Sequence, residues 1–513
     1  MPKSIDQLRR DAKALGRAYA ALDPNALARV RNFPPRPEGT PLKHSDFLHV
    51  VAREQNFPSW PQLAWAAETV GLDRAGKQQR LKIALYHGQF WVIERLLADT
   101  PDLADGVFDL EVALYRRAAV EDALGEDPTL ATRTFGLRRP ILALAFSKYL
   151  QARPELEGDM LAIAAALVAN GADVNDCFPY EEMGTHMLPA LYGALGHANN
   201  MPLARWLLDH GADPNDGESL YHATELDHLD GLRMLLAAGA DPTGTNALYR
   251  AMDFDNVAAV RLLLEAGAAS EDYNAAAFAG EPPAAYPCLH QAARRGSSRD
   301  MVDVLIAAGA DTSRVHGGVS SYALARAWGN AAVADAIAAA GGDTTLDGAV
   351  ADFVAVADGT APPGTLIDPA KLPGELRDFA ASAVTPEAAL ARTQRLIAAG
   401  LEYDRADYQG LTPVQAAGWQ GLPEAVAYFL SLKPDLGHIN GYGGTLLTTI
   451  IHGSENCPER ATRDHIACLE LALREGMALP KRAVEMAGEA EVAAFLADWA
   501  EAHPGQVAEH GVG

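Results

Sequence analysis

Cysteine, aromatic residues, basic charge and long apolar runs are all scarce in this 513-residue chain, and each scarcity excludes something. The four cysteines, Cys177, Cys288, Cys457 and Cys468, are scattered without C-x-x-C spacing. They therefore encode neither a disulfide framework nor a zinc knuckle, and a reducing cytoplasm fits. Aromatics make up 7% of the chain against 49% apolar residues, with alanine abundant throughout, which favours many small, closely packed helices over a few large ones. Lysine and arginine number 42 against 67 aspartates and glutamates, a formal net charge of −25. Nucleic acid and membrane surfaces, being anionic, are then not expected partners; a protein or peptide, in particular a basic one, or a small ligand in a local pocket, is compatible. The apolar run LAIAAALVA (161–169) is far too short to span a bilayer, and the N-terminal MPKSIDQLRRDAKALGRAYAAL is a charged amphipathic helix rather than a signal peptide. A cytoplasmic, monomeric protein is expected. Nucleotide-binding loops, G-x-S-x-G and the dinucleotide fingerprint are missing too, so no cofactor is expected.

What is present is repetition. ALVANGADVN (166–175) returns as WLLDHGADPN (206–215), LLAAGADPT (235–243), LLLEAGAAS (262–270) and LIAAGADTS (305–313), with weaker copies at 336–344, 396–404 and 471–479. In each, a helix with an apolar stripe ends at a glycine able to take the left-handed C-cap conformation, and turn-forming residues follow. The complementary halves are ALYGALGH (190–197), SLYHATELDH (219–228), ALYRAM (247–252), CLHQAARRG (288–296), YALARAWGN (322–330) and LTPVQAAGWQG (411–421).

On these segments the chain resembles the ankyrin repeat family, whose units read T-P-L-H-x-A, a helix pair, then L-L-x-x-G-A-D. The resemblance implies an all-α fold: an ankyrin-repeat α-solenoid with short β-hairpin fingers or loops. Residues 1–75, with AREQNFPSWPQL (52–63), resemble the N-terminal helical cap of many bacterial ankyrin proteins, which would cover the apolar end of a stack. The expected order continues with degenerate repeats at 76–159 and a repeat block at 160–345 carrying long loops at 174–190 and 270–288. An irregular linker or hinge with short helices follows at 346–384, then C-terminal repeats and capping helices at 385–513.

Loop length marks a candidate site. A standard unit places roughly fourteen residues between the glycine of G-A-D and the leucine of the next T-P-L-H. Gly211 to Leu220 and Gly239 to Leu248 leave only nine each, while their neighbours, Gly171 to Leu191 and Gly267 to Leu289, are long. Two shortened fingers between two long loops would form a walled notch over the inner helices. Neutral drift of loop length is the competing account.

Residues at i and i+3 share a helix face, so the floor of that notch should present His222 with Glu225 and Arg250 with Asp253, flanked by His197 and Arg294. The long loops could add Tyr180, Glu181, Glu182, His186, Glu271, Asp272 and Tyr273. Tyr192, Tyr221 and Tyr249 fill the position of the family's T-P-L-H histidine, which His290 retains; in the family that residue ties neighbouring loops together. His222-x-x-Glu225-x-x-His228 has metal-like spacing, but His228 falls where a unit carries a helix-ending histidine, and no metal is expected. A second candidate lies in GYGGTLLTTIIHGSENC (441–457), which resembles the last repeats of some bacterial ankyrin proteins. There Tyr442, His452, Ser454, Asn456 and Cys457 would cluster where a helix stops at His452. Two functions fit: a protein- or peptide-binding module acting through its concave face, or an enzyme or small-molecule binder with Glu225 or Asp253 as base and His222, His186 or Arg250 as polar partners.

Overall fold

The computed structural model describes residues 5–36, 42, 44–60, 63, 72–180, 186–271, 286–382, 388–457 and 460–508. Two compact units emerge, one from Met1–Leu130 with Ser147–Asp159, the other from Ala131–Phe146 with Met160–Gly513.

In the first unit, helices Ile5–Ala20, Pro24–Asn32 and His44–Glu54 close on one another because Leu8, Ala12 and Leu15 recur at helical spacing and bury against Val30, Phe47 and Val51. Asp23 starts the second of these helices by accepting hydrogen bonds from the backbone N–H groups of Asn25 (3.0 Å) and Ala26 (2.9 Å), with Pro24 following. Two helix pairs come next, Arg74–His87 with Phe90–Asp99 and Phe108–Ala113 with Arg117–Glu126. Ser147 joins them, its Oγ donating to the Ala113 carbonyl (2.7 Å) and its own carbonyl accepting from Tyr115 Oη (3.2 Å).

The second unit repeats a helix pair. First helices are Ser219–Ala223, Ala247–Asp253, Cys288–Arg295 and Ser321–Trp328; their second helices are Asp230–Ala237, Val257–Glu265, Arg299–Ala307 and Ala331–Ala339. Leu207, Leu235, Leu263 and Leu305 occupy one position of the repeat and are wholly buried, which is why that leucine recurs in the sequence. The connecting turns are specified locally. Gly211 and Gly239 sit at φ 96° and 95°, where a Cβ is strained, so only glycine recurs there.

Neighbouring turns are then clasped by asparagine. Asn175 accepts from the Asp213 N–H (2.7 Å) and donates to the Gly211 carbonyl (3.1 Å); Asn215 does the same to Asp241 (2.7 Å) and Gly239 (3.4 Å). The family's histidine position makes a second set of ties with three different side chains. Tyr249 Oη donates to the Ser270 carbonyl (3.2 Å), His290 Nε2 to Val319 (2.9 Å) and Gln415 Nε2 to His438 (3.2 Å). Burial pushes the His290 imidazole down to about 4, so the ring is neutral at pH 7.

Strand pairing among the described residues is short: Cys177–Pro179 antiparallel to Met187–Pro189, Val315–His316 antiparallel to Val319–Ser320, and Leu479–Pro480 parallel to Val507–Ala508. The segment expected as a linker or hinge contains the 11-residue helix Gly348–Asp358, which fills a layer of the stack. Asp358 near its end binds Arg326 (2.5 Å) and Arg392 (2.7 Å), and Arg395 donates to the Val356 carbonyl (3.2 Å), the arrangement a helix C-terminus favours. Further on, helix Leu446–Asn456 does not stop at His452 as expected. It runs on through Gly453, which lies against the Trp419 carbonyl where any Cβ would collide, so this glycine serves packing rather than termination. No helix among the described residues is long and apolar enough to cross a membrane.

Candidate functional site

The shortened turn after Gly211 supplies the centre of the site. Asp216 closes that turn: its Oδ1 accepts from the N–H groups of Glu218 (2.9 Å) and Ser219 (2.7 Å), and its Oδ2 from Ser219 Oγ (2.6 Å). Burial pushes the Asp216 carboxyl up despite these bonds. With no finger to carry it outward, Glu218 enters at the foot of helix Ser219–Ala223 and is 1% exposed.

From Glu218 a ladder of polar side chains crosses successive rungs. His186, brought by the hairpin strand Met187–Pro189 that follows it, places Nε2 2.5 Å from Glu218 Oε1. His222 places Nε2 3.4 Å from Glu218 Oε2 and Nδ1 2.7 Å from Glu225 Oε2. The first of these is a close ionic approach rather than an aligned hydrogen bond, since Glu218 Oε2 has no hydrogen-bond partner. Arg250, one rung on, reaches Glu225 Oε1 with both Nε (2.8 Å) and Nη2 (2.7 Å) and lies 3.6 Å from Asp253 Oδ2. Asp253 Oδ1 in turn holds Arg295 Nε (2.8 Å) and Gln291 Nε2 (3.0 Å) from the next helix.

Electrostatics follow from this packing. Burial raises the Glu225 carboxyl, but the His222 hydrogen bond and the Arg250 charge outweigh it and hold the group below its ordinary value. Both ring nitrogens of His222 face carboxylate oxygens, Nδ1 in a hydrogen bond to Glu225 and Nε2 3.4 Å from Glu218. The Arg250 guanidinium also lies over two rings, Tyr221 at 5.5 Å and Phe254 at 4.7 Å, and Phe254 is 51% exposed.

A model of ankyrin repeats, in three copies, matches residues 191–277, the stretch that carries most of this ladder. The protein carries ankyrin repeats. No curated protein matches the chain. The two shortened fingers fall inside the matched ankyrin segment, so the ladder is a local elaboration of the repeat frame.

The ankyrin frame brings together some of the expected residues and separates others. His186, His222, Glu225, Arg250 and Asp253 converge, with Tyr221 buried beneath Arg250 and Tyr180 exposed beside His186, ring centroids 5.6 Å apart. His197 packs on Phe146 (5.3 Å), and His228 binds Asn199 Oδ1 (2.9 Å). Arg294, expected to flank the notch, stacks on Tyr286, while its neighbour Arg295 contacts Asp253. Glu181, Glu182, Asp272 and Tyr273 lie outside the described residues. Glu271 is occupied by Arg314 (3.1 Å) and the Asp311 N–H (3.1 Å).

In the second candidate, Asn456 Nδ2 donates to the His452 carbonyl (3.0 Å) on the exposed side. The Cys457 thiol is buried 3.6 Å from Gln420 Oε1, so the structure forms no His452–Cys457 pair. Ser454 Oγ turns back to the Ile451 carbonyl (2.6 Å), and Tyr442 accepts from Gln409 Nε2 (2.9 Å). No group of three His, Cys, Asp or Glu suited to a metal ion occurs among the described residues.

Reasoning from sequence missed Glu218, Gln291 and Arg295. Glu218 had a usable signal: it replaces the threonine of T-P-L-H at a helix start that the short turn forces inward. Gln291 and Arg295 share a helix face at i, i+4.

Proposed function

We propose that the protein is a protein- or peptide-binding module whose recognition surface is the inner-helix face running from His186 to Arg295. The observation that supports this most is the ladder itself, a line of partly exposed, mutually paired polar tips crossing successive rungs beside the exposed Phe254. Ankyrin repeats generally act in protein–protein interaction, and fold alone would not choose the face; the shortened fingers do, by uncovering it. The balance of 42 basic against 67 acidic residues steers basic segments toward the molecule at long range.

The test is a selection of dodecapeptide binders on the full chain, followed by affinity measurements on the double variant His222→Ala/Glu225→Ala. These two side chains are partly exposed, 19% and 28%, and pair mainly with each other and with Arg250, so the variant should unfold within about 1 kcal/mol of the wild type. Binding of the selected peptides should fall about tenfold or more, the loss of roughly one charge-assisted contact. Unchanged peptide affinity, or a large drop in melting temperature, would sink the proposal.

A small-molecule or enzymatic site is the second reading, favoured by one observation: Glu218 is buried with one oxygen lacking an aligned donor, between two histidines. Against this reading, His222 Nε2 faces the buried Glu218 carboxylate rather than an open space where a substrate proton could sit. A metabolite thermal-shift screen on the wild type and Glu218→Gln separates the readings. A hit that Glu218→Gln abolishes would favour the second.

A further inference from the structure

Arg294 differs from the arginines around it. Arg250, Arg295, Arg377 and Arg405 each hold a carboxylate: Glu225, Asp253, Glu402 and Asp378 respectively. Arg294 has its guanidinium 4.0 Å over the ring of Tyr286, and among the described residues no carboxylate lies within ion-pair distance of it. The acids around it have other hydrogen-bond partners, although Asp407 feels the Arg294 charge. Asp407 Oδ1 accepts from the N–H groups of Gln409 (2.9 Å) and Leu411 (2.9 Å), Glu375 faces the Tyr286 phenol, and Asp253 is taken by Arg295 and Gln291.

Stacking uses the flat face of a guanidinium and leaves its in-plane N–H donors free, in the fork that matches a planar carboxylate. Tyr408, 71% exposed, has its phenol within electrostatic reach of both Arg294 and Tyr442; Tyr442, 74% exposed, is linked to the same finger through Gln409. The result is a cationic fork held on one aromatic ring and overlooked by two more that are open to solvent.

Resting on the peptide-binding reading above, we infer that Arg294 is a subsite for one carboxylate of a bound peptide, with Tyr286 positioning the guanidinium and Tyr408 and Tyr442 offering apolar contact beside it. The acidic surface does not oppose this. A net charge of −25 acts at long range and is screened beyond about 8 Å in physiological salt, whereas the fork acts at contact. The occupant that satisfies both is a peptide of net positive charge with a single aspartate or glutamate seated at Arg294.

The dodecapeptides selected on the full chain test this directly. They should share one Asp or Glu at a fixed place in a basic context. Changing that residue to Asn or Gln, or changing Arg294→Ala, should weaken binding about tenfold, and the two changes together should cost little more than either alone. Arg294→Lys should recover only part of the loss, because a lysine cannot form the fork. Melting temperatures should be alike for all the variants. Additive losses, or selected peptides that carry no acidic residue or bind Arg294→Ala unchanged, would overturn the subsite while leaving peptide binding intact. Failure to select any peptide would overturn both. Selected peptides that bind tighter when the acid is replaced by phosphoserine would make the subsite a phosphate receptor and overturn the carboxylate assignment.

Discussion

Helices Ser219–Ala223 and Leu446–Asn456 each carry a histidine among polar residues at helical spacing, yet they become different things. His222 is met by Glu218 and Glu225, and Glu225 by Arg250 from the next rung. His452 is exposed on its helix, and its ring contact among the described residues is with Asn456 of the same helix. Polar residues on one helix can satisfy one another locally; a site forms when turns are short enough for successive rungs to interleave. The same contrast holds one position earlier in the repeat. His290 and Gln415 make the same tie to a neighbouring carbonyl, but only the histidine titrates.

The largest expected effect uses that last difference. His290 has its folded value lowered from 6.5 to about 4. Above pH 6.5 the ring is neutral in both states; as pH falls from there toward 4, the unfolded chain takes up a proton that the folded one refuses, and stability is lost. The loss amounts to roughly 3 kcal/mol over that window. In His290→Gln, denaturant midpoints measured between pH 7 and 4 should fall less than in the wild type, because glutamine keeps the tie, as Gln415 does. Equal acid sensitivity would contradict this.

Next comes Gly453→Val, which drives a side chain into the Trp419 carbonyl and should destabilise the C-terminal repeats by about 1–3 kcal/mol, with little dependence on salt. A neutral result would mean that helix Leu446–Asn456 can shift, and would reopen its middle as a site. Smallest is Asn215→Ala. It removes both hydrogen bonds of one turn clasp and should cost about 1 kcal/mol by urea denaturation while leaving the shortened turn after Gly239 in place. A loss several times larger would show that the clasp, rather than the buried Asp216 turn, sets the spacing between rungs.

Much of this was legible beforehand. The glycine turns, the recurring leucine and the paired helices are local or periodic features, and the residues that encode them stand close together in the chain. His222 with Glu225 and Arg250 with Asp253 could be placed on shared faces by the same logic. The pairing of Glu218 with His186 could not, because the two lie 32 residues apart and meet only when the hairpin packs over the shortened turn. Nor could the division of labour between Arg294 and Arg295, adjacent in the chain, where one stacks on Tyr286 and the other reaches across to Asp253.

Backbone preference and helical period encode the repeat, its turns and the face on which its ionisable residues stand, so all three can be read along the chain. Which tips meet, which carboxylates are taken and which arginine, among the described residues, lacks an ion pair follow from the packing of one rung on the next. Those outcomes depend on distances between rungs, and a few ångströms there separate an ion pair from a solvated charge.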